Sequence, residues 1–380
     1  MEAPRAVAAD ELPLLIELVD SVLYPHADPR PSVATLFPRV FREENLEHLV
    51  AVFFEGLPVA AVAYLLDEAA GDGWRYLAAG LSSVVTRADY RGRGLATMLL
   101  DDCLGRMRRE GVRIMLSSLN RRIYGGFGGH PTGLAWFSGN LRRESLPPSS
   151  RAVLRLVDDD SAVPLLKKLH ELEKPGFVRD EKDFGMMWRA DAFARVLGMS
   201  SRTWLAMHDG EPMAYAVVTP GEPKKPVGRL VEYAGDRRTL VEALRPIMIS
   251  LDIEVLEAMV AYTDQDMLAR LRRAGDWRLE PPPGAAILLD PLGLWRDLEP
   301  HRLARLGATG AAKLLVSRHE EGPVNFVYGQ EAVTIHDQER LLSLLFGEPS
   351  SARNLPANLC RALSACLPLP LPALQGLNYL

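Results

Sequence analysis

Apolar residues change their spacing several times along the chain, and each change marks an element. Over residues 9–48 they recur at helical intervals, as at Leu12, Leu15, Ile16 and Val19, one face of a 3.6-residue period. The run L-V-A-V-F-F-E-G-L-P-V-A-A-V-A-Y-L-L over 49–66 is nearly continuous and is broken only at Glu55, Gly56 and Pro58. It predicts two buried strands joined by a tight turn, too interrupted to span a bilayer. Another strand is expected at Leu77–Val85. The helix after it carries Leu95, Met98, Leu99, Leu104 and Met107 toward one side and stops at Gly111, a residue suited to the position after a helix end. Val112–Ser118 reads as the next strand. Strand, glycine-rich loop, helix and strand make a β-α-β unit with a right-handed crossover.

The hairpin then recurs. E-G-L-P-V-A-A-V-A-Y at 55–64 matches D-G-E-P-M-A-Y-A-V-V at 209–218, and one interval separates both Gly56 from Gly210 and Pro58 from Pro212. A strand at 229–235, a helix at Thr239–Ser250, a strand at Ile253–Tyr262 and a helix at Asp264–Ala274 follow in the same order. One arrangement used twice predicts a duplicated α/β domain. Pro281, Pro282, Pro283 and Gly284 end the second copy or bend a loop within it. Beyond Asp290, helical segments (Leu298–Leu306, Glu339–Phe346) mix with strand-like ones (Lys313–Val316, Val324–Val327, Ala332–Ile335). The final L-P-L-P-L-P-A-L-Q-G-L-N-Y-L favours extended backbone, because alternating prolines forbid a helix.

A chain of 380 residues is too long for one typical core and predicts two or three domains. A net charge of −5 argues against a general nucleic-acid binder. The three cysteines, Cys103, Cys360 and Cys366, have neither C-x-x-C spacing nor an even count, which points to a reducing compartment. With no basic-then-apolar leader at the N-terminus, a cytoplasmic protein is expected. The histidines offer no metal spacing, no serine has a G-x-S-x-G context, and Cys103 falls among apolar neighbours as a core residue. The R-M-R-R-E run at 106–110 lacks interleaved aromatics and reads as a solvated helix end.

The loop before the first repeat's helix carries the candidate chemistry. It reads Y-R-G-R-G-L-A-T over 90–97. A dinucleotide fingerprint would need a third glycine where Thr97 stands, and a Walker A loop would need G-K-[ST]. What fits is Arg91-x-x-Gly94-x-Ala96: successive backbone N–H groups at a helix N-terminus bind an anion, arginines add charge, and glycines allow close approach. The bland alternative is a βα turn with solvated arginines.

With these residues in place, the loop and its context resemble the acetyl-CoA pyrophosphate site of the GNAT acetyltransferases. I-Y-G-G-F-G-G-H at 123–130 resembles the I-Y-x-x-F-G segment of the enhanced-intracellular-survival (Eis) acetyltransferases. The resemblance implies an α/β (α+β) fold with two tandem GNAT-like domains, the second degenerate, and a C-terminal sterol-carrier-protein-like domain. The boundaries are 1–148, 149–288 and 289–380. It implies an acetyl-CoA-dependent N-acetyltransferase, acting by direct attack of a primary amine of a cationic small molecule. The alternatives are a protein lysine acetyltransferase and a non-catalytic binder of an apolar ligand.

The resemblance assigns CoA contacts to Val84, Val85, Thr86, Arg91, Gly92, Arg93, Gly94, Leu95, Ala96 and Asn120, with no metal. Tyr124 falls at the general-acid position, where a phenol near pKa 10 can protonate a departing thiolate. The terminal carboxylate of Leu380 falls where Eis-like enzymes help deprotonate the amine. A homohexamer is also implied. Leu119-Asn120-Arg121-Arg122 stands where relatives often carry Ser-Glu, and Gly126 replaces a position that is often basic. Arg121 and Arg122 either reach the adenosine 3′-phosphate or are solvated. The second copy reads A-G-D-R-R-T at 234–239 instead of the phosphate loop, which predicts a cleft wall without CoA. Glu11, Glu17, Asp20 and Asp28 either attract a cation or form a solvated face.

Overall fold

The computed structural model describes residues 2–26, 31–131, 136–148, 153–221, 225–280, 284–319, 322–347, 352, 354–372, 374 and 376–380. Asp28 and Pro281–Pro283 lie outside them. In chain order, β1 (Arg5–Ala6), α1 (Leu12–Leu23) and the short α2 (Val33–Leu36) lead into β2 (Leu49–Phe54), β3 (Leu57–Gly71) and β4 (Trp74–Thr86). Next come α3 (Leu95–Arg109), β5 (Ile114–Ser117), the one-turn α4 (Arg122–Gly125) and β6 (Trp136–Arg142). The middle part holds β7 (Val153–Val157), α5 (Val163–His170), β8 (Gly176–Phe177), α6 (Glu181–Ala190) and α7 (Ala192–Arg195). It continues with β9 (Arg202–His208), β10 (Glu211–Thr219), β11 (Val227–Gly235), α8 (Arg237–Ser250), β12 (Val255–Ala261), α9 (Gln265–Leu271) and β13 (Gly275–Glu280). After β14 (Ala285–Leu288) the chain forms α10 (Pro291–Asp297), α11 (Glu299–Lys313), β15 (Leu314–Arg318), β16 (Val324–Tyr328) and β17 (Glu331–Ile335). The last helices are α12 (Gln338–Phe346) and α13 (Ala357–Cys366).

The 9–48 stretch is not one helical run. α1 stops at Leu23, just before Pro25, as the residue ahead of a proline is driven out of the helical region. The two matching hairpins share a physical cause. Glu55 and Gly56 have φ of 51° and 77°, and Asp209 and Gly210 have 50° and 83°. Two consecutive positive φ angles turn two strands with the right-handed twist that a sheet needs. α3 buries Leu95, Leu99, Leu100, Cys103, Leu104 and Met107, so Cys103 is core, whereas Met98 faces outward.

Among the described residues, three sheets result. The first runs β1-β2-β3-β4-β5-β14, with β8 added to β3, and the second runs β13-β6-β12-β11-β10-β9-β7. The third is β15-β16-β17. In the first sheet β4 and β5 are parallel and flank α3; in the second β11 and β12 are parallel and flank α8. The sheets also exchange strands. β6 pairs antiparallel with β12, while β14, much later in the chain, pairs antiparallel with β5. A cut at 148 leaves each of the two large sheets relying on a strand from across the cut. Residues 1–148 expressed alone are therefore expected to show no cooperative melting transition by calorimetry, in contrast to the full chain.

The first sheet is covered on both faces. α3 packs on one face of the first sheet with Val52, Val62, Tyr64 and Leu81. Its other face carries α1 and is continuous with the core of the C-terminal part, including Leu342, Phe346, Leu363, Leu374 and Leu380. On the second sheet α8 and α9 cover one face, and α5 and α6 cover part of the other. No helix among the described residues is long and apolar enough to cross a membrane.

Candidate active site

β4 is the strand from which the site is built. A register shift between Ala63 and Tyr64 leaves Ser82 unpaired as a bulge, and β5 pairs with β4 only at Ala78–Leu81. Beyond Leu81 the two strands diverge. The N–H of Arg87 donates to the oxygen of Val59 at 2.9 Å, which fixes the alternation of the ladder. Val85 accordingly bonds Ala61 across the ladder. The backbone groups of Val84 and Thr86 turn the other way, toward the side that β5 has left. Of the three strand residues expected to offer backbone contacts, Val85 has its donor committed to β3.

The glycine loop follows directly. Gly92 and Gly94 have φ of 76° and 75°, and a β-carbon added at either would meet nothing within 4 Å. These glycines are needed for conformation and for an open approach, not for packing. Arg91 donates from Nε to the carbonyl of Thr86 at 3.2 Å, and Arg93 donates to the carbonyl of Asp89 at 3.1 Å. Arg93 and Arg87 both stack on the Tyr90 ring. Arg91, Gly92, Arg93 and Gly94 are exposed. Gly94 caps α3 with no side-chain partner, so the first-turn N–H groups, including those of Leu95 and Ala96, face the loop's open side. Such N–H groups, together with the helix dipole, favour an anion. Gly94→Ala puts a Cβ on a left-handed residue at a cost of about 1–2 kcal/mol. It is expected to lower the melting temperature and raise KM for acetyl-CoA in steady-state assays.

Across the gap, Tyr124 lies on α4 and is buried. Gly129 allows this, because a β-carbon there would meet the Tyr124 Cβ and carbonyl at 2.8 Å. Burial raises the phenol's pKa above 10, while the Arg121 charge and a hydrogen bond with Ser117 oppose the shift only in part. The group thus stays a proton donor throughout the neutral range. Asn120, Arg121 and Arg122 are exposed on the approach to α4.

The tail enters from the opposite end. Ser118, just past β5, donates its hydroxyl to the Leu380 oxygen at 2.6 Å. A β-carbon on Gly80 would lie 2.4 Å from Leu380 Cδ1, so the side chain of Leu380 rests on β4 next to where the strands part. Upstream, the Tyr76 hydroxyl donates to the Pro370 carbonyl at 3.1 Å, and Tyr379 meets Phe193 edge-on. Arg179 and Glu232 hold Leu377 and Asn378. A cavity of about 1110 Å³ is lined by Ser118, Leu119, tail residues Asn378 and Tyr379, and the open face of β11, β12, β6 and β13. Neither the 91–96 loop nor Tyr124 lines it.

The second sheet repeats the divergence, since β11 and β12 pair only over Val227–Leu230. Its helix end, however, is already filled. Asp236 caps α8 by accepting from the Thr239 N–H at 2.7 Å. Glu173 accepts from the Gly235 N–H, and Arg237 is tied to Glu173 and Asp264. Carboxylates of the protein already accept from the Gly235 and Thr239 N–H groups. His170, which also lines the cavity, has its pKa pushed down to about 4 by burial and by the Arg179 charge.

Of the N-terminal acidic residues, the described Glu11, Glu17 and Asp20 do not line this cavity. Asp20 is buried and accepts from the Val33 N–H at 2.7 Å, and Glu11 pairs with Arg5. Sequence reading missed Ser118, Arg179, Glu232 and Gly80. Only Gly80 left a signal, because a glycine inside a strand often marks a close approach.

Residues 3–131 match the acetyltransferase (GNAT) domain family. Several solved structures share the fold over nearly the whole chain. A probable N-acyltransferase from Enterococcus faecalis has a TM-score of 0.68 at 13% identity, covering 97% of each chain. A GCN5-related N-acetyltransferase from Anabaena variabilis has a TM-score of 0.66 at 12% identity, covering 97% of this chain and 98% of that one. Eis1 from Mycobacterium abscessus has a TM-score of 0.64 at 13% identity, covering 98% and 99%. At these identities the likeness is one of fold. No curated protein matches the chain. The protein is an acyltransferase, and its matched domain implies an acetyl-CoA or acyl-CoA co-substrate.

Proposed function

We propose that the protein transfers the acetyl group of acetyl-CoA to a primary amine of a cationic small molecule, aminoglycoside- or polyamine-like, by direct attack. The observation that carries this reading is the parting of β4 from β5 at Leu81, beside an uncapped helix end behind Gly92 and Gly94. In the proposed scheme the pyrophosphate lies against Arg91, Gly92, Arg93, Gly94, Leu95 and Ala96, and Asn120 meets the pantetheine arm. The N–H groups of Val84 and Thr86 are directed at the thioester oxygen. Donors preorganised at a developing oxyanion contribute strongly to rate.

The amine attacks the thioester carbonyl, the C–S bond breaks, and Tyr124 protonates the departing thiolate. Before the attack, the Leu380 carboxylate takes one proton from the ammonium, the form in which the amine mostly exists at neutral pH. The second nitrogen proton, lost as the amide forms, restores the Tyr124 phenol. The same scheme divides the chain into a catalytic domain (1–148), a degenerate second copy (149–288) and a sterol-carrier-like domain (289–380). Its assembly is a homohexamer. The filled helix end at Asp236 supports assigning chemistry to the first copy alone.

The test is an acetyl-transfer screen over polyamines, aminoglycosides, amino acids and lysine peptides, paired with calorimetric titration of acetyl-CoA. Turnover of a free cationic amine and no turnover of peptides is the expected result. Preference for lysine peptides would replace the acceptor class. Failure to bind acetyl-CoA would remove the donor assignment.

A further inference from the structure

The C-terminal tail is held by a buried ion pair from outside the first sheet's catalytic strands. Arg179 follows β8, which is anchored to β3 through Ala69 and Ala70, and the N–H of Val178 donates to the Glu68 carbonyl at 2.8 Å. Its guanidinium reaches Glu232 on β11 of the second sheet with two parallel bonds of 2.9 and 2.8 Å. The third donor, Nε, goes to Asn378 Oδ1 at 3.0 Å. Side-chain exposure is 1% for Arg179 and 10% for Glu232. Each Glu232 oxygen accepts one further bond, Oε1 from the Tyr215 hydroxyl at 2.7 Å and Oε2 from the Leu377 N–H at 3.0 Å. Burial alone would raise the Glu232 pKa, but Arg179 outweighs it and holds the carboxyl at about 2.

A buried charge pair is stable only when its remaining donors and acceptors are also satisfied. Here the tail supplies two of those partners. Seating the tail completes the pair, and the pair in turn fixes the tail's direction. Asn378 lies two residues before Leu380, and an extended chain advances only about 3.3–3.6 Å per residue. A fixed Asn378 therefore confines where the Leu380 oxygens can go, and Ser118 receives one of them at 2.6 Å.

We propose that Arg179, Glu232 and Asn378 form a latch that positions the C-terminal tail against Ser118, making Arg179 and Glu232 positioning residues for acyl transfer. That role in turnover rests on the Leu380 carboxylate acting as base; the seating of the tail does not. Asn378→Ala removes one arm of the latch, and Asn378→Asp returns an acceptor to Arg179. Glu232→Gln keeps the shape and loses the charge.

Two readouts test the proposal on the full chain. In carboxypeptidase Y digestion followed by mass spectrometry, loss of Leu380 and Tyr379 is expected to be at least ten-fold faster in Asn378→Ala and Glu232→Gln. Asn378→Asp is expected to restore protection. Equal digestion of folded wild type and Asn378→Ala, matched by melting temperature, overturns the latch. In acetyl transfer to spermidine or kanamycin, Asn378→Ala is expected to lower kcat and leave KM for acetyl-CoA unchanged. Its deficit is expected to shrink as pH rises and the amine deprotonates on its own. A chain extended by one glycine after Leu380 separates the two ideas. If the extension leaves turnover intact, the carboxylate reading fails while the digestion result still judges the seating. If it cuts turnover and Asn378→Ala does not, the positioning role fails alone.

Discussion

Tyr124→Phe is expected to lower kcat for acetyl transfer by roughly 100-fold or more, the range set by removing a general acid from a leaving-group step. KM for acetyl-CoA is expected to change little, because phenylalanine keeps the ring that packs among the buried residues around Ile287 and Leu289. The direction of the pKa shift sets the pH dependence. Burial raises the phenol above its ordinary value, so the acid form is retained through neutral pH and is lost only as pH climbs through that raised value. The wild-type alkaline limb from this group therefore lies above pH 10, and in Tyr124→Phe that limb is absent. Steady-state rates from pH 6 to 10.5 check both points. Unchanged turnover in the folded variant would remove Tyr124 from the chemistry.

Arg39→Met is expected to destabilise the fold by about 3–5 kcal/mol, the usual cost of leaving a buried partner charge uncompensated. Arg39 bonds both oxygens of Asp67 on β3 and donates from Nε to Asp183 on α6 at 2.9 Å. Side-chain exposure is 8% for Arg39 and 5% for Asp67, so water cannot replace the lost guanidinium. Burial already raises the Asp67 pKa even with Arg39 in place. Without Arg39 the carboxyl favours its proton still more in the folded state. A folded pKa above the unfolded one adds stability that is full below the unfolded value and is lost as pH rises through the folded value. The deficit of Arg39→Met should thus be largest near neutrality and shrink on acidification. Denaturant melts at pH 5 and pH 8 measure the difference, and equal deficits at both would assign the loss to packing instead.

Much of the molecule was readable where local patterning decides the outcome. The hairpin turns at Glu55-Gly56 and Asp209-Gly210, the helix after Gly94 and the strands near 314, 324 and 331 all follow from spacing and turn chemistry. Partner choice was not readable. Nothing in W-F-S-G-N-L-R of β6 says that it will lie beside β12 rather than β5, because a strand's period reveals which face it buries and not its neighbour. α13 escaped notice for a different reason: A-N-L-C-R-A-L-S-A-C is short and follows polar residues without a strong cap. The loop stood out by its motif spacing, and Tyr124 by the resemblance of I-Y-G-G-F-G to a family segment. Arg179 was invisible, since its importance comes from two partners, Glu232 and Asn378, that are distant in the chain.

The strand exchange also constrains how this protein comes into being. Ser117 at the end of β5 finds its antiparallel partner at Ala285, so the first sheet stays unfinished until the whole second sheet has been synthesised. Pairings of such long sequence separation are slow to close. During translation β5 presents an open edge, the kind of surface that pairs with the wrong chain. A nascent chain stalled before residue 285 should therefore be held by chaperones, whereas one released with β14 complete should close that edge with its own strand.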